Sequence, residues 1–263
     1  MTYETLNFAL RDGVAWITID RPAQFNALTL AAMRELQAVA ARCSTDDGVR
    51  AVVLTGAGDK AFCAGGDVGA FAENADALQP LLTEMTASFH LAISRFSWMR
   101  APLIAAVNGV AAGAGVSLVA AADLVIAVEG AKFTSAYTQI GLTPDGSSSY
   151  FLSRILGPRR ALEFYLTNRT LTAREALDWG LVNRVIAAAD FHDAVTELAR
   201  QLAAGPTRAY GGAKKLVQMG MNDTLESQME RETRMIVAMG ATADAREGVR
   251  AFIEKRRPHF AGS

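Results

Sequence analysis

At 263 residues, with 51% hydrophobic and 20% charged residues, the chain is long enough for one large α/β unit with an appendage and leaves little room for disorder. The 26 Lys and Arg against 27 Asp and Glu, a net charge of −1, give no basic excess for nucleic acid. Two cysteines, Cys43 and Cys63, in no CxxC spacing, and three scattered histidines, His90, His192 and His259, argue against a disulfide framework and against a metal site. The N-terminal stretch MTYETLNFALRDG lacks a basic region followed by an apolar run, so no secretory signal is expected and the expected compartment is cytoplasmic.

Alternating apolar residues in YETLNFAL and VAWITID, on either side of Arg11-Asp12-Gly13, predict a β-hairpin that ends at Arg21-Pro22. Thr29 then caps a helix whose apolar stripe is Ala32, Met33, Leu36, Val39 and Ala40, and RAVVLTG (50–56) has the continuous apolar character of a buried strand. After a glycine-rich loop, a helix is expected from about 76 to 99, followed by a buried strand in PLIAAVNG (102–109), a helix over 112–121 and a third strand in DLVIAVE. The uncharged run 103–122 has the length of a membrane span. Its Ala, Gly and Val content, the Asn108-Gly109 turn pair and the immediate Asp123 favour a buried strand, a turn and a buried helix, so no membrane partner is expected. Strands alternating with helices imply a mostly parallel sheet with crossover helices. Helical patterns dominate from SSYFLSRIL onward, and no strand is expected after about 206, with Gly205-Pro206 as the boundary.

Two loops carry the chemistry. AFCAGGDVGAF (61–71) and NGVAAGAGVSL (108–118) each follow a strand, with small residues that let a ligand approach the main chain. The free N–H groups of a helix's first turn stabilise negative charge, so the pair could polarise one oxygen. Tight packing explains the same glycines, and the residues alone leave both readings open. A dinucleotide fingerprint, a Walker loop and a GxSxG serine are all absent. In YTQIGLTPDGSSS (137–149) the only carboxylate is Asp145, and Pro-Asp-Gly is by itself a turn signal.

AFCAGGD, NGVAAGAGVSLVAAADLVIA and KFTSAYTQIGLTPDG, with RPAQFNAL before them and LTAREALDWGLVNRV and EGVRAFIEKRRPHFAG after them, resemble the crotonase superfamily of enoyl-CoA hydratases and isomerases over nearly the whole chain. The resemblance implies an α/β fold, a crotonase-like superhelix of ββα units over 1–205, with a C-terminal helical region over 206–263 that builds homotrimers or homohexamers. It implies an acyl-CoA thioester as substrate, with no other cofactor. The two N–H groups that polarise the thioester carbonyl map to Gly66 and Ala114. Ala64, Gly65, Asp67, Gly113, Ser117, Tyr137 and Gln24 map to the substrate-binding positions, Asp67 as support for the first loop. Phe71, Leu142 and Trp98 are candidates for an acyl pocket, and Lys255 or Arg256 for the coenzyme A phosphates, since RPAQFNAL has Gln24 in place of a lysine.

The hydratases of this superfamily carry two glutamates; at those positions this chain has Ser117 and Tyr137. Neither is an effective base near neutral pH. IGLTPDG instead resembles the superfamily's isomerases, and the chain as a whole resembles the phenylacetate-pathway branch that isomerises a ring epoxide of phenylacetyl-CoA. The resemblance thus implies an isomerase in which Asp145 moves the proton. An enoyl-CoA hydratase and a catalytically silent acyl-CoA-binding member are the alternatives.

Overall fold

The computed structural model describes residues 3–263; Met1 and Thr2, part of the stretch read for a secretory signal, lie outside the described residues. Strands β1 (Leu6–Arg11) and β2 (Val14–Ile19) form the expected hairpin, closed by Asp12 and Gly13 at φ 51° and 76°. Positive φ at both loop residues matches the right-handed twist of the strands they join. Helix α1 (Leu30–Thr45) starts where the Thr29 side chain accepts a bond from the Ala32 N–H, and its buried stripe is the predicted one extended by Cys43.

Three turns of a β-β-helix pattern follow. Strands β3 (Ala51–Gly56) and β4 (Ala61–Cys63) lead into α2 (Val68–Glu73) and α3 (Leu78–Trp98); β5 (Leu103–Val107) and β6 (Val110–Ala112) lead into α4 (Ala114–Ala121); β7 (Leu124–Val128) and β8 (Lys132–Thr134) lead towards α5 (Ser148–Leu156). The first strand of each turn joins a six-stranded sheet and the second a four-stranded one. The chain continues through α6 (Pro158–Thr167), β9 (Leu171–Thr172), α7 (Ala173–Asp178), β10 (Arg184–Ile186) and α8 (Phe191–Ala203). The large sheet has the order β1-β2-β3-β5-β7-β10, parallel except for the hairpin, and the small one the order β4-β6-β8-β9. The expected helix start at 112 is corrected by this arrangement: Val110–Ala112 is a strand paired with β4 and β8, and the helix opens at Ala114.

The uninterrupted apolar character of β3, β5 and β7 has a direct cause, since both faces of the large sheet are covered. Val52, Leu54, Ala105 and Val107 point into the main core with Phe62, Phe89 and Phe133, whereas Val53, Ile104, Ala106 and Ile126 meet Val195, Leu198 and Ala199 of α8. Burying a phenylalanine of this kind contributes about 1.5–3 kcal/mol. Asn108 locks the ends of β3 and β5 together: its side chain accepts from the Gly56 N–H (3.1 Å) and donates to the Gly56 and Gly58 carbonyls (2.8 and 2.7 Å).

Beyond residue 206 the described residues form only helices, α9 (Thr207–Gly220), α10 (Leu225–Gly240) and α11 (Ala243–Ile253). Two polar clasps bind this region to the sheets. Lys214 of α9 donates to Asp123 (2.6 Å) and to the Phe96 carbonyl (2.7 Å), and the same Asp123 oxygen accepts from the Leu103 N–H (2.7 Å). Arg50, just before β3, donates to Thr207 Oγ1 (2.9 Å) and to the carbonyls of Gly205 (2.5 Å) and Phe260 (3.2 Å). Among the described residues no helix is long and apolar enough to cross a membrane.

Candidate active site

The two glycine-rich loops lie side by side because β4 and β6 are paired, so the chain leaves both strands at the same edge. The first loop is laced to the segment after the hairpin: Ala64 N–H donates to Phe25 O (3.0 Å), Leu28 N–H to Gly65 O (2.7 Å) and Asp67 N–H to Leu28 O (3.0 Å). Among the described residues, the Gly66 N–H between these bonds makes no turn or loop bond to the backbone. Ala114 opens α4, so its N–H has no intrahelical partner either. Glycine is required where the loops touch, since a Cβ on Gly115 would stand 2.1 Å from the Cys63 carbonyl oxygen.

Above these loops lies a cavity of about 710 Å³. Ala64, Gly65 and Gly66 of the first loop, Gly113 and Ala114 of the second, and Tyr137 and Asp145 from the segment between β8 and α5 all line it. The facing wall has Met33 of α1, Phe71 of α2, and Leu78, Leu82 and Met85 of α3 beside the polar Gln79, Thr83 and Thr86 of the same helix, and Ile140 and Leu142 also line the cavity. Asp145 is the only carboxylate in the lining, and Tyr137 the only other titratable group.

Asp145 is a turn residue as well as a cavity residue. Its carbonyl accepts from the Ser148 N–H (3.0 Å) across Gly146 and Ser147, both with positive φ (57° and 58°). A Cβ on Gly146 would stand 2.3 Å from the Phe89 ring, so glycine follows Asp145 for space and for conformation together. The Tyr137 hydroxyl donates to Asp145 Oδ1 (2.5 Å), and Ser117 Oγ lies 2.9 Å from the same hydroxyl and 3.0 Å from the Asp145 carbonyl oxygen. Burial pushes the Asp145 carboxyl above the ordinary carboxylate range, against the pull of the Tyr137 bond and of His90. Burial, the Asp145 charge and their hydrogen bond push the Tyr137 phenol well above its ordinary value, so it is a neutral donor at pH 7.

The family model for Enoyl-CoA hydratase/isomerase matches residues 9–263. The chain belongs to the enoyl-CoA hydratase/isomerase family. It is 40% identical over 262 residues, all of both chains, to a probable enoyl-CoA hydratase of Rhodobacter capsulatus. It is 42% identical over 228 residues, 86% of this chain and 82% of the other, to 4-chlorobenzoyl coenzyme A dehalogenase-2 of an Arthrobacter species. Over 253 residues, 95% of each chain, it is 36% identical to 1,2-epoxyphenylacetyl-CoA isomerase of Escherichia coli. An acyl-CoA thioester is the substrate class consistent with the family. Its crotonase-like fold is the ββα winding described above, with the helical C-terminal region.

Three of the mapped positions stand away from the cavity. Ser117 is fully buried behind Tyr137. Asp67 caps α2, where its side chain accepts from the Ala70 N–H (3.1 Å) and pairs with Arg21 (2.9 Å). Against the cost of burial, these N–H groups and Arg21 hold its carboxyl below the ordinary range. Gln24 is exposed in the short turn Pro22–Gln24, outside the lining. Of the acyl-pocket candidates, Phe71 and Leu142 line the cavity and Trp98 does not; Trp98 is 44% exposed at the end of α3. Neither Lys255 nor Arg256 lines it, and the Arg256 guanidinium is engaged by Glu247 and Glu254 (2.6 Å each). Burial pushes the Cys63 thiol up to about 12, which removes it as a nucleophile.

Sequence reasoning missed two contributors. The wall residues Leu78, Leu82 and Met85 follow the i, i+4, i+7 spacing of one helix face, a signal present in the sequence but merged there with the core stripe. His90, on α3, accepts from the Gly146 N–H at Nε2 (3.1 Å) and so braces the Asp145 turn. No local motif marks it, because α3 is brought to the turn only by the fold.

Proposed function

We propose that this chain is an acyl-CoA isomerase. The thioester oxygen sits between the Gly66 and Ala114 N–H groups, and Asp145 takes a proton from one carbon of the acyl group. The negative charge spreads onto the thioester oxygen as an enolate, and Asp145 returns the proton two bonds further along. The observation that carries this reading is that Asp145 is the single carboxylate among the residues lining the cavity. One carboxylate is enough for a 1,3-proton shift, whereas a water addition that uses a separate acid and base has only Tyr137 and Ser117 where the second and first carboxylates would be. The identity to 1,2-epoxyphenylacetyl-CoA isomerase supports ring-containing acyl groups and the opening of a ring epoxide. A second reading comes from 4-chlorobenzoyl coenzyme A dehalogenase-2: a lone carboxylate can also attack a ring carbon, release chloride and yield an ester that water cleaves.

One assay separates these. Purified enzyme is given an enoyl-CoA, with double-bond migration and hydration followed together, and in parallel 4-chlorobenzoyl-CoA, with chloride release followed. Migration dominates in the parent, and Asp145→Asn lowers it by about 10²–10⁴. Hydration at a comparable rate, or chloride release without migration, would replace the isomerase with the corresponding alternative.

The same reading includes a homotrimer or a pair of trimers. Val217, Met221, Leu225, Ile236, Val237 and Phe252 of α9 to α11 are all more than half exposed, a large apolar surface for a lone chain. Light scattering at micromolar concentration should give three or six times the chain mass; a monomeric mass would remove this part of the proposal.

A further inference from the structure

The Ser117–Tyr137–Asp145 cluster holds more contacts than its hydrogens can make at once. Tyr137 and Ser117 have one hydroxyl hydrogen each, yet the Tyr137 oxygen is 2.5 Å from Asp145 Oδ1 and 2.9 Å from Ser117 Oγ, and Ser117 Oγ is also 3.0 Å from the Asp145 carbonyl oxygen. With Asp145 ionised there are two hydrogens, and a carboxylate only accepts. Tyr137 therefore donates to Oδ1 and Ser117 donates to Tyr137, which leaves the Asp145 carbonyl to the Ser148 N–H. With a proton on Oδ1 there are three hydrogens for the same three contacts. Asp145 then donates to Tyr137, Tyr137 to Ser117 and Ser117 to the Asp145 carbonyl. Every hydrogen is used in both states, and no heavy atom moves.

We propose that Ser117 and Tyr137 form a reversible hydroxyl relay that positions Asp145, running from Ser117 through Tyr137 to the carboxylate in the resting enzyme and in the opposite direction when the carboxyl holds a proton on Oδ1. The relay rests on the isomerase reading, in which Asp145 alternates between these two forms. It gives Ser117 and Tyr137 a task other than ordering a water: they are positioning residues that work through Asp145. The titratable groups that act on Asp145 are Tyr137 itself and, from α3, His90; α4 contributes only Ser117, and the Ser148 hydroxyl at the start of α5 is taken by Tyr165 (3.1 Å). His90 bonds the Gly146 N–H rather than a member of the relay, so it is left unchanged in the test.

The test is the pH dependence of kcat/KM in the parent, Tyr137→Phe, Ser117→Ala and the double variant, with a 13C titration of the Asp145 carboxyl in each, which needs no turnover. Tyr137→Phe removes the donor to the ionised form. It should move the acid limb and the carboxyl titration to higher pH and lower kcat about 10- to 100-fold with little change in KM. Ser117→Ala should shift both in the same direction by a smaller amount. In the double variant Ser117→Ala should add nothing, since its effect passes through the Tyr137 hydroxyl. An undiminished Ser117→Ala effect beside Phe at 137, or an Asp145 titration unmoved by Tyr137→Phe, would overturn the relay. If the titrations shift as stated while Asp145→Asn still isomerises at the parental rate, the relay stands and the isomerase reading falls.

Discussion

Two half-buried aspartates, one on each side of the β7–β8 pair, show how the same side chain is set to hold a structure or, in the proposed isomerase, to move a proton. Asp123, ahead of β7, and Asp145, ahead of α5, are both pushed upward by burial before any other influence. Their partners differ. Asp123 faces a cation, Lys214, whose side chain is 7% exposed, and one backbone N–H; burial in turn pushes the lysine down. Asp145 bonds a neutral hydroxyl on one oxygen, and His90 acts on it without a bond. A carboxylate beside a buried ammonium gives up that contact if it takes a proton, whereas a carboxylate beside a hydroxyl can exchange one and keep its hydrogen bonds. Burial alone therefore does not mark a reactive aspartate; in the proposed reaction the proton is moved by the aspartate that has no salt bridge.

Breaking the Asp123 pair should produce the larger stability effect. Lys214→Ala leaves an uncompensated carboxylate between α9 and the sheet, at a cost of about 3–5 kcal/mol in denaturant unfolding. The turnover of the molecules that remain folded should be close to the parental value. Replacing both partners, Asp123→Leu with Lys214→Met, should recover most of that loss, because the desolvation cost goes with the charges. Should the double variant be as unstable as the single one, the clasp is a matter of shape rather than charge.

The smaller effect has the opposite sign. Because the folded-state pKa of Asp145 is raised, the contribution of this residue to stability is present below the ordinary carboxylate pKa and is lost as pH rises through the folded value. At pH 7 its ionised form disfavours the fold, so Asp145→Asn should melt slightly above the parent. That advantage should vanish as pH falls below the folded pKa. A variant that melts below the parent at pH 7 would mean that the Tyr137 bond outweighs the cost of burial, and the contrast with Asp123 would narrow.

The contrast also shows what could be learned without a structure. Strands β3, β5 and β7 of the large sheet were legible because each contains a run of four or more apolar residues, and α1 because Thr29 and an apolar stripe fix its start and its face. The small sheet was not, since β4, β6 and β8 are three residues long and too short to show a period, and two of them lie inside glycine-rich segments. Asp145 was identifiable as a cavity residue only through family resemblance; on local chemistry it was a turn residue, and the structure shows that it is both. His90 was not identifiable at all. It lies 56 positions from the glycine it braces, and nothing around it signals a site.

The Arg50 clasp adds an element of timing. Its guanidinium binds groups that lie 155, 157 and 210 positions further along the chain. A ribosome makes β3 long before it makes any of those acceptors, so until they emerge the Arg50 guanidinium can bond only to water or to nearby groups. The last strand ends at Ile186, so this clasp can close only after every strand has been made.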